Sequence, residues 1–285
     1  MEKIKKTIVL ASVAKDIRST FLTDYKIVMD AFRDFEIVQW IVVESNSGDN
    51  SASFLLEFAK RHPVIKVISL GTDDKQVMRT TSIAIARNRY LSEFLDICKH
   101  TTISNLVVID LNELNKRLNR TAVLSCFKRN DWAAVCANQS GPYYDIYALR
   151  HDSWSPNDCW LSYSQMQEVY NQKLKMFWDK ALWHSVYSRM IKIKKSSEWI
   201  QVHSAFGGVA IYDSGFLADS RYSGETEAGD AVCEHVSFNL GIEKAGGKIF
   251  INPEFINFAT TNHSLRKRYF VLFNSWFYLR KLLLR

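Results

Sequence analysis

Apolar and polar positions fall into alternating blocks along the chain, and the blocks read as strands separated by helices. Residues 7–13 and 36–43 are apolar runs of strand length, and residues 19–32 between them space their apolar side chains for a helix. A polar turn at 44–49 closes the second strand, 53–61 repeats the helical pattern, and 64–70 gives a third strand. Strands that alternate with helices predict a mostly parallel sheet. Residues 79–98 then read as a longer helix. It leads into Leu106–Ile109, four apolar residues in a row, the length and β-branched content of a strand buried on both faces.

Beyond that strand the pattern predicts a helix over 114–127, a strand over 132–137 and an aromatic-rich strand over 143–149. One or two helices over 163–195, a helix from Cys233 to Lys244 and a last strand at 248–252, ended by Pro253, complete the reading.

Composition adds bounds. With 285 residues, 47% hydrophobic and only 4 Pro, the chain is long enough for one large globular core or a domain with an appended piece. Its 5 cysteines are odd in number and widely spaced, which argues against a disulfide framework or a zinc site and fits a reducing cytoplasm. The basic start, Met1 to Lys6, precedes an apolar run that Lys15 and Asp16 cut too short for a signal-peptide core.

The net charge of +7 sits at one end. From Ser264 onward there are six basic residues and no acid, leaving 31 Lys+Arg against 30 Asp+Glu in the body. A nearly neutral body counts against nucleic acid as a partner. On a helical wheel Arg266, Lys267, Asn274, Lys281 and Arg285 form one stripe, with Leu272, Trp276, Leu279 and Leu283 opposite. The tail, 264–285, therefore predicts a basic amphipathic helix too short in its apolar run to span a bilayer, suited to an anionic membrane surface. The competing reading is a helix that packs on the body or in a homo-oligomer.

The candidate chemistry begins where the buried strand opens, at Asp110, Asn112 and Glu113. In open α/β sheets ligands bind at the carboxyl ends of strands, although Asp and Asn also end strands simply by making turns. No Gly-x-Gly-x-x-Gly follows the first strand and no Walker-type Gly-Lys-Ser/Thr occurs, which removes the main support for dinucleotide and P-loop readings. Arg79 and Arg87, on the helix feeding the Asp110 strand, carry planar forks suited to phosphate. Asp145 is a carboxylate inside an apolar segment and needs a partner. Glu234 beside His235, at a helix start, is the best acid–base pair in the chain, capable of deprotonating an acceptor hydroxyl or stabilising an oxocarbenium-like centre.

In order, Arg79-x7-Arg87-Asn88-x-x-Leu91, the strand ending in an Asp-x-Asp-like Asp110-Leu-Asn112, Tyr143-Tyr-Asp-Ile-Tyr-Ala-Leu-Arg150, Phe206-Gly-Gly208 and Cys233-Glu-His-Val-Ser-Phe238 resemble nucleotide-sugar glycosyltransferases of the GT-A fold. Bacterial polysaccharide enzymes similar to the cryptococcal α-1,3-mannosyltransferase family are the nearest suggestion. The resemblance runs from Arg79 to Asn257. It implies an α/β fold with a mixed, mainly parallel sheet and helices on both faces, a donor half over 1–138 and an acceptor half over 139–263. It also implies transfer of a sugar from a nucleotide-sugar donor to a saccharide or lipid-linked acceptor in surface polysaccharide or lipopolysaccharide assembly, at the inner face of the membrane.

In such enzymes Asp110 would contact donor ribose or metal, and Gly207 and Gly208 would lie beside the donor sugar. The implied ion is Mn2+ or Mg2+, held by Asp110, the residue at 112 and a late histidine, His235 or His263. Asn112 replaces the second carboxylate with a neutral, weaker ligand, so the ion would be held less tightly, or through Glu113, or be absent. Without metal, the diphosphate charge would fall to Arg79 and Arg87. A non-catalytic binder that kept the fold, or a nucleotidyltransferase, are the alternatives from other classes.

Overall fold

The computed structural model describes residues 6–71, 77–111, 113–171, 178–261 and 264. Strands β1 (Thr7–Ala14), β2 (Glu36–Glu44), β3 (Ile65–Ser69) and β4 (Asn105–Ile109) form a parallel block in the order β3-β2-β1-β4. The sheet continues through β7 (Val209–Asp213), β5 (Ala134–Gln139), β8 (Ile249–Phe258) and β6 (Ile200–Val202). β7 is antiparallel to β4 and β5, and β6 is antiparallel to β8, so six of the eight strands run the same way.

Two apolar layers explain the arrangement. Val9, Ala11, Leu106 and Val108 face one core, packed against Ala84, Tyr90, Leu91 and Phe94 of α3 (Arg79–His100) and Phe238 and Ile242 of α7 (Glu234–Lys244). Ile8, Leu10, Val107 and Ile109 face the other, packed against α1 (Phe21–Ala31), α2 (Ser51–Arg61) and α4 (Arg120–Ser125). Alternate residues of the same strand thus bury on opposite sides, which is why β4 reads as a continuous apolar run. The result is the mixed, mainly parallel α/β sheet with helices on both faces that the resemblance implies. Helix α5 (Cys159–Asn171), the short α6 (Trp178–Leu182) and a π-helical turn, Trp183–Tyr187, are added to it.

The chain leaves β1 toward β2 and β3, then returns through α3 to β4 on the other side of β1. That reversal creates a crevice at the carboxyl ends of β1 and β4, the place where open α/β sheets bind ligands.

Three expected elements differ. Residues 143–149 form a turn instead of a strand, because their backbone groups bond to Ile191 (Tyr143 N to Ile191 O, 2.8 Å) and to each other (Ile146 N to Tyr144 O, 2.9 Å). The helix expected over 114–127 is confined to α4 and a 3-10 turn at Cys126–Lys128; its first half is a series of turns in which Asn119, the N-cap, accepts from Ala122 N. Pro253 does not end the last strand. β8 runs through it to Phe258, and the register against β5 shifts there, while Asn138 Nδ2 donates to the Pro253 carbonyl at 3.1 Å. The tail beyond Ser264 lies outside the described residues.

Candidate active site

A cleft of ≈ 430 Å³ opens over the β4 end and the first turns of α3. Along α3 the buried residues Thr80, Ala84, Arg87, Leu91 and Phe94 recur at helical spacing, so Arg87 occupies a position on the core-facing stripe. An arginine there must find partners. Its Nη2 donates to Asp110 Oδ1 at 3.0 Å and its Nε to Glu234 Oε1 at 2.8 Å. A further bond from Nη1 to the Tyr90 hydroxyl, 3.3 Å, leads to the Tyr222 hydroxyl, and the guanidinium lies over the Phe206 ring at 5.2 Å. Burial disfavours its charge, but Tyr90, Asp110 and Glu234 outweigh that and hold its pKa well above the ordinary value.

Asp110 is delivered by β4 and fixed at its backbone. Its N–H donates to Gly208 O at 2.9 Å and its carbonyl accepts from Asn115 Nδ2 at 2.7 Å. The side chain keeps 28% of its surface open to the cleft. Burial nonetheless lifts its carboxyl above the usual value, against the pull of Arg87.

Asp145 accepts from Gly207 N at 2.9 Å. Its burial dominates that bond and, with the charges of Asp110 and Glu234 nearby, raises its pKa to about 6. Glu234 lies at the start of α7, where a carboxylate also meets the positive end of the helix. His235 is buried, stacked on Phe206 at 3.8 Å, with neither ring nitrogen bonded among the described residues. Burial, helped by Arg87, pushes its pKa well below the ordinary value.

The structure thus gathers Arg79, Arg87, Asp110, Asp145, Glu234 and His235 around one cleft. Arg79 projects at the exposed start of α3. Glu113 also lines the cleft, in a left-handed conformation with φ 62°, and accepts from Lys116 Nζ at 2.9 Å. Asn88 lies elsewhere: its amide brackets the Tyr222 backbone, donating to the carbonyl at 2.8 Å and accepting from the N–H at 3.0 Å. Gly207 and Gly208 are buried behind the cleft wall with φ of 76° and 92°. A Cβ on Gly207 would collide with the Ala137 carbonyl, so the pair is needed for close strand packing and serves the site by positioning Asp110 and Asp145. Asn112 and His263 lie outside the described residues.

Lys116 and Tyr222 are not singled out by the sequence, and Phe206 enters only as the first residue of the Phe206-Gly-Gly208 motif. The signal for Tyr222 was absent because its role comes from packing across more than a hundred residues, against Tyr90 and Arg87. Among the described residues no group of three or more His, Cys, Asp or Glu side chains is arranged to hold a metal ion. Among the described cleft carboxylates, Asp110 and Glu234 pair with Arg87, Asp145 accepts from Gly207 N and Glu113 pairs with Lys116.

No family model matches the chain, and no curated protein matches it. Among solved structures it is similar to the mannosyltransferase PcManGT from Pyrobaculum calidifontis in complex with GDP-Man and Mn2+, with 12% identity, 92% of this chain and 59% of that one covered, and a TM-score of 0.48. It is also similar to S. aureus TarS 1-349 (12% identity, 90% and 60% covered, TM-score 0.47) and to GalNAc-T7 with UDP, GalNAc and Mn2+ (13%, 93% and 47%, 0.49). The chain spans about half to three fifths of those structures.

Proposed function

We propose that the cleft transfers a glycosyl group from a nucleotide-sugar donor to a saccharide acceptor. The observation that carries this reading is the convergence on one cleft of Asp110, from the mouth of β4 beside the reversal point of the sheet, with Asp145 and Glu234 from the later half of the chain; one buried arginine holds Asp110 and Glu234, and Gly207 N holds Asp145.

In this reading the donor lies over the β1 and β4 ends. Asp110 has an exposed carboxylate edge for a ribose hydroxyl. The diphosphate sits at the start of α3, where the helix dipole and Arg79 favour negative charge. Arg87 has spent its charge on two carboxylates, so its task is to hold them in place. Asp145, with a pKa of about 6, is matched to take a proton from an acceptor hydroxyl near neutral pH. Glu234 supplies fixed negative charge beside the positive centre that develops at the sugar. The donor half then covers 1–138 and the acceptor half 139–263, and surface polysaccharide or lipopolysaccharide assembly is the setting to which the resemblance points.

The test is a transfer assay across UDP-, GDP-, CMP- and ADP-sugars with saccharide acceptors, with and without Mn2+. Sugar transfer with release of the nucleotide supports the reading. Consumption of a nucleoside triphosphate with release of pyrophosphate would replace it with nucleotidyl transfer.

A further inference from the structure

A second concavity, a groove of ≈ 690 Å³, adjoins the cleft, and Lys116 lines both. Its walls come from residues 116–119 before α4, Ser140 just after β5, Ile256 near the end of β8 and the segment 192–195. Five cations line it: Lys116, Arg117, Lys192, Lys194 and Lys195. Among the described residues no carboxylate does. Lys116 is paired with Glu113, and Arg117 donates to Ser140 Oγ at 2.9 Å, a neutral partner. Lys192, Lys194 and Lys195 are exposed and have no carboxylate within ion-pair distance among the described residues.

Like charges gathered without counter-charges repel, and an anion that bridges them relieves the repulsion. Several cations over such a span suit a ligand with more than one charge. Nucleic acid is the less favoured occupant, because the lining aliphatic residues, Leu118, Ile193 and Ile256, offer no aromatic platform for bases. The groove also ends at the cleft, where an acceptor has to reach Asp145.

We infer that this groove binds linked phosphates of the acceptor, either repeated along a glycan chain or present as the diphosphate that joins a glycan to a lipid. The acceptor assignment rests on the transferase reading; the binding of phosphate does not.

The experiment measures binding of inorganic tripolyphosphate and of geranyl diphosphate by calorimetry at low ionic strength. Wild-type protein is compared with Lys192→Gln/Lys194→Gln/Lys195→Gln and with Arg79→Ala. The triple variant, changed only at exposed side chains, should bind at least one probe about tenfold more weakly while nucleotide-sugar binding stays unchanged. Preference for tripolyphosphate identifies phosphates along a chain, and preference for geranyl diphosphate identifies the lipid junction. If only Arg79→Ala weakens the probes, the phosphate site belongs to the cleft and the groove proposal fails, with the donor reading intact. Retained groove binding in a protein that takes no nucleotide-sugar would overturn the donor reading alone. Single-stranded RNA bound more tightly than tripolyphosphate through these lysines would overturn the acceptor assignment.

Discussion

Arg87 donates from Nη2 to Asp110 Oδ1 at 3.0 Å, coupling the middle of a long helix to the mouth of the central strand. The same guanidinium holds Glu234, 147 residues further along, at 2.8 Å. Two carboxylates that would repel each other are therefore kept together by a shared counter-charge, and the cleft depends on that charge being buried with them.

Replacing Arg87 by alanine leaves two carboxylates without their cation, a change that costs roughly 3–5 kcal/mol for a buried pair. Arg87→Ala should lose about that much unfolding free energy in urea denaturation. Arg87→Lys should recover only part, because a point charge cannot reach both acids with a rigid fork. An unchanged midpoint for the alanine variant would show that the network adds nothing to the fold.

Asp145 gives opposite pH signatures in stability and in rate. Its pKa rises from an ordinary 3.8 to about 6 in the fold, so the folded state holds the proton more tightly than the unfolded chain. The resulting stabilisation is fully present below the ordinary value and is lost as pH rises through about 6. Relative to Asp145→Asn, wild-type stability should thus fall between those two pH values and then level off. Turnover should rise over the same range as the carboxylate forms, and Asp145→Asn should reduce it by about 10²-fold or more. A flat stability difference with a flat rate profile would remove Asp145 from the base role.

Much of this arrangement is legible in the sequence, and the limits are physical. The β4 run and Asp110 could be read because a strand buried on both faces writes a continuous apolar word that ends at its mouth. Arg79, Asp145, Glu234 and His235 could be singled out because charge in apolar or cap positions is conspicuous. That Arg87 faces Asp110 and Glu234, and leaves Arg79 as the exposed fork, depends on how α3 and α7 dock, which no local pattern encodes. Residues 143–149 misled because their aromatic and β-compatible side chains pack in a turn bonded to Ile191. Pro253 misled because a shifted register accommodates it inside β8.

Glu234→Gln keeps an oxygen for Arg87 Nε and removes the negative charge. Turnover should drop by about 10²-fold with donor affinity little changed, the pattern for an interaction made mainly in the transition state. A loss of stability as large as the loss of activity would mark Glu234 as a structural anchor of α7.

The basic tail predicts a separate property. A chain truncated after His263 should remain folded, lose co-sedimentation with phosphatidylserine-containing vesicles and keep activity on a soluble acceptor. Insolubility of the truncated chain would instead place the tail in the core or in an interface between copies.

The central claim is that Asp110 organises a nucleotide-sugar at the mouth of β4. It is tested most directly by measuring the melting temperature of wild-type protein and Asp110→Ala across UDP-, GDP-, CMP- and ADP-sugars, since a ligand that binds only the folded state raises it. The account predicts a concentration-dependent rise with one of these donors for the wild type and none for Asp110→Ala. The same rise in both proteins would contradict it, as would no rise with any donor.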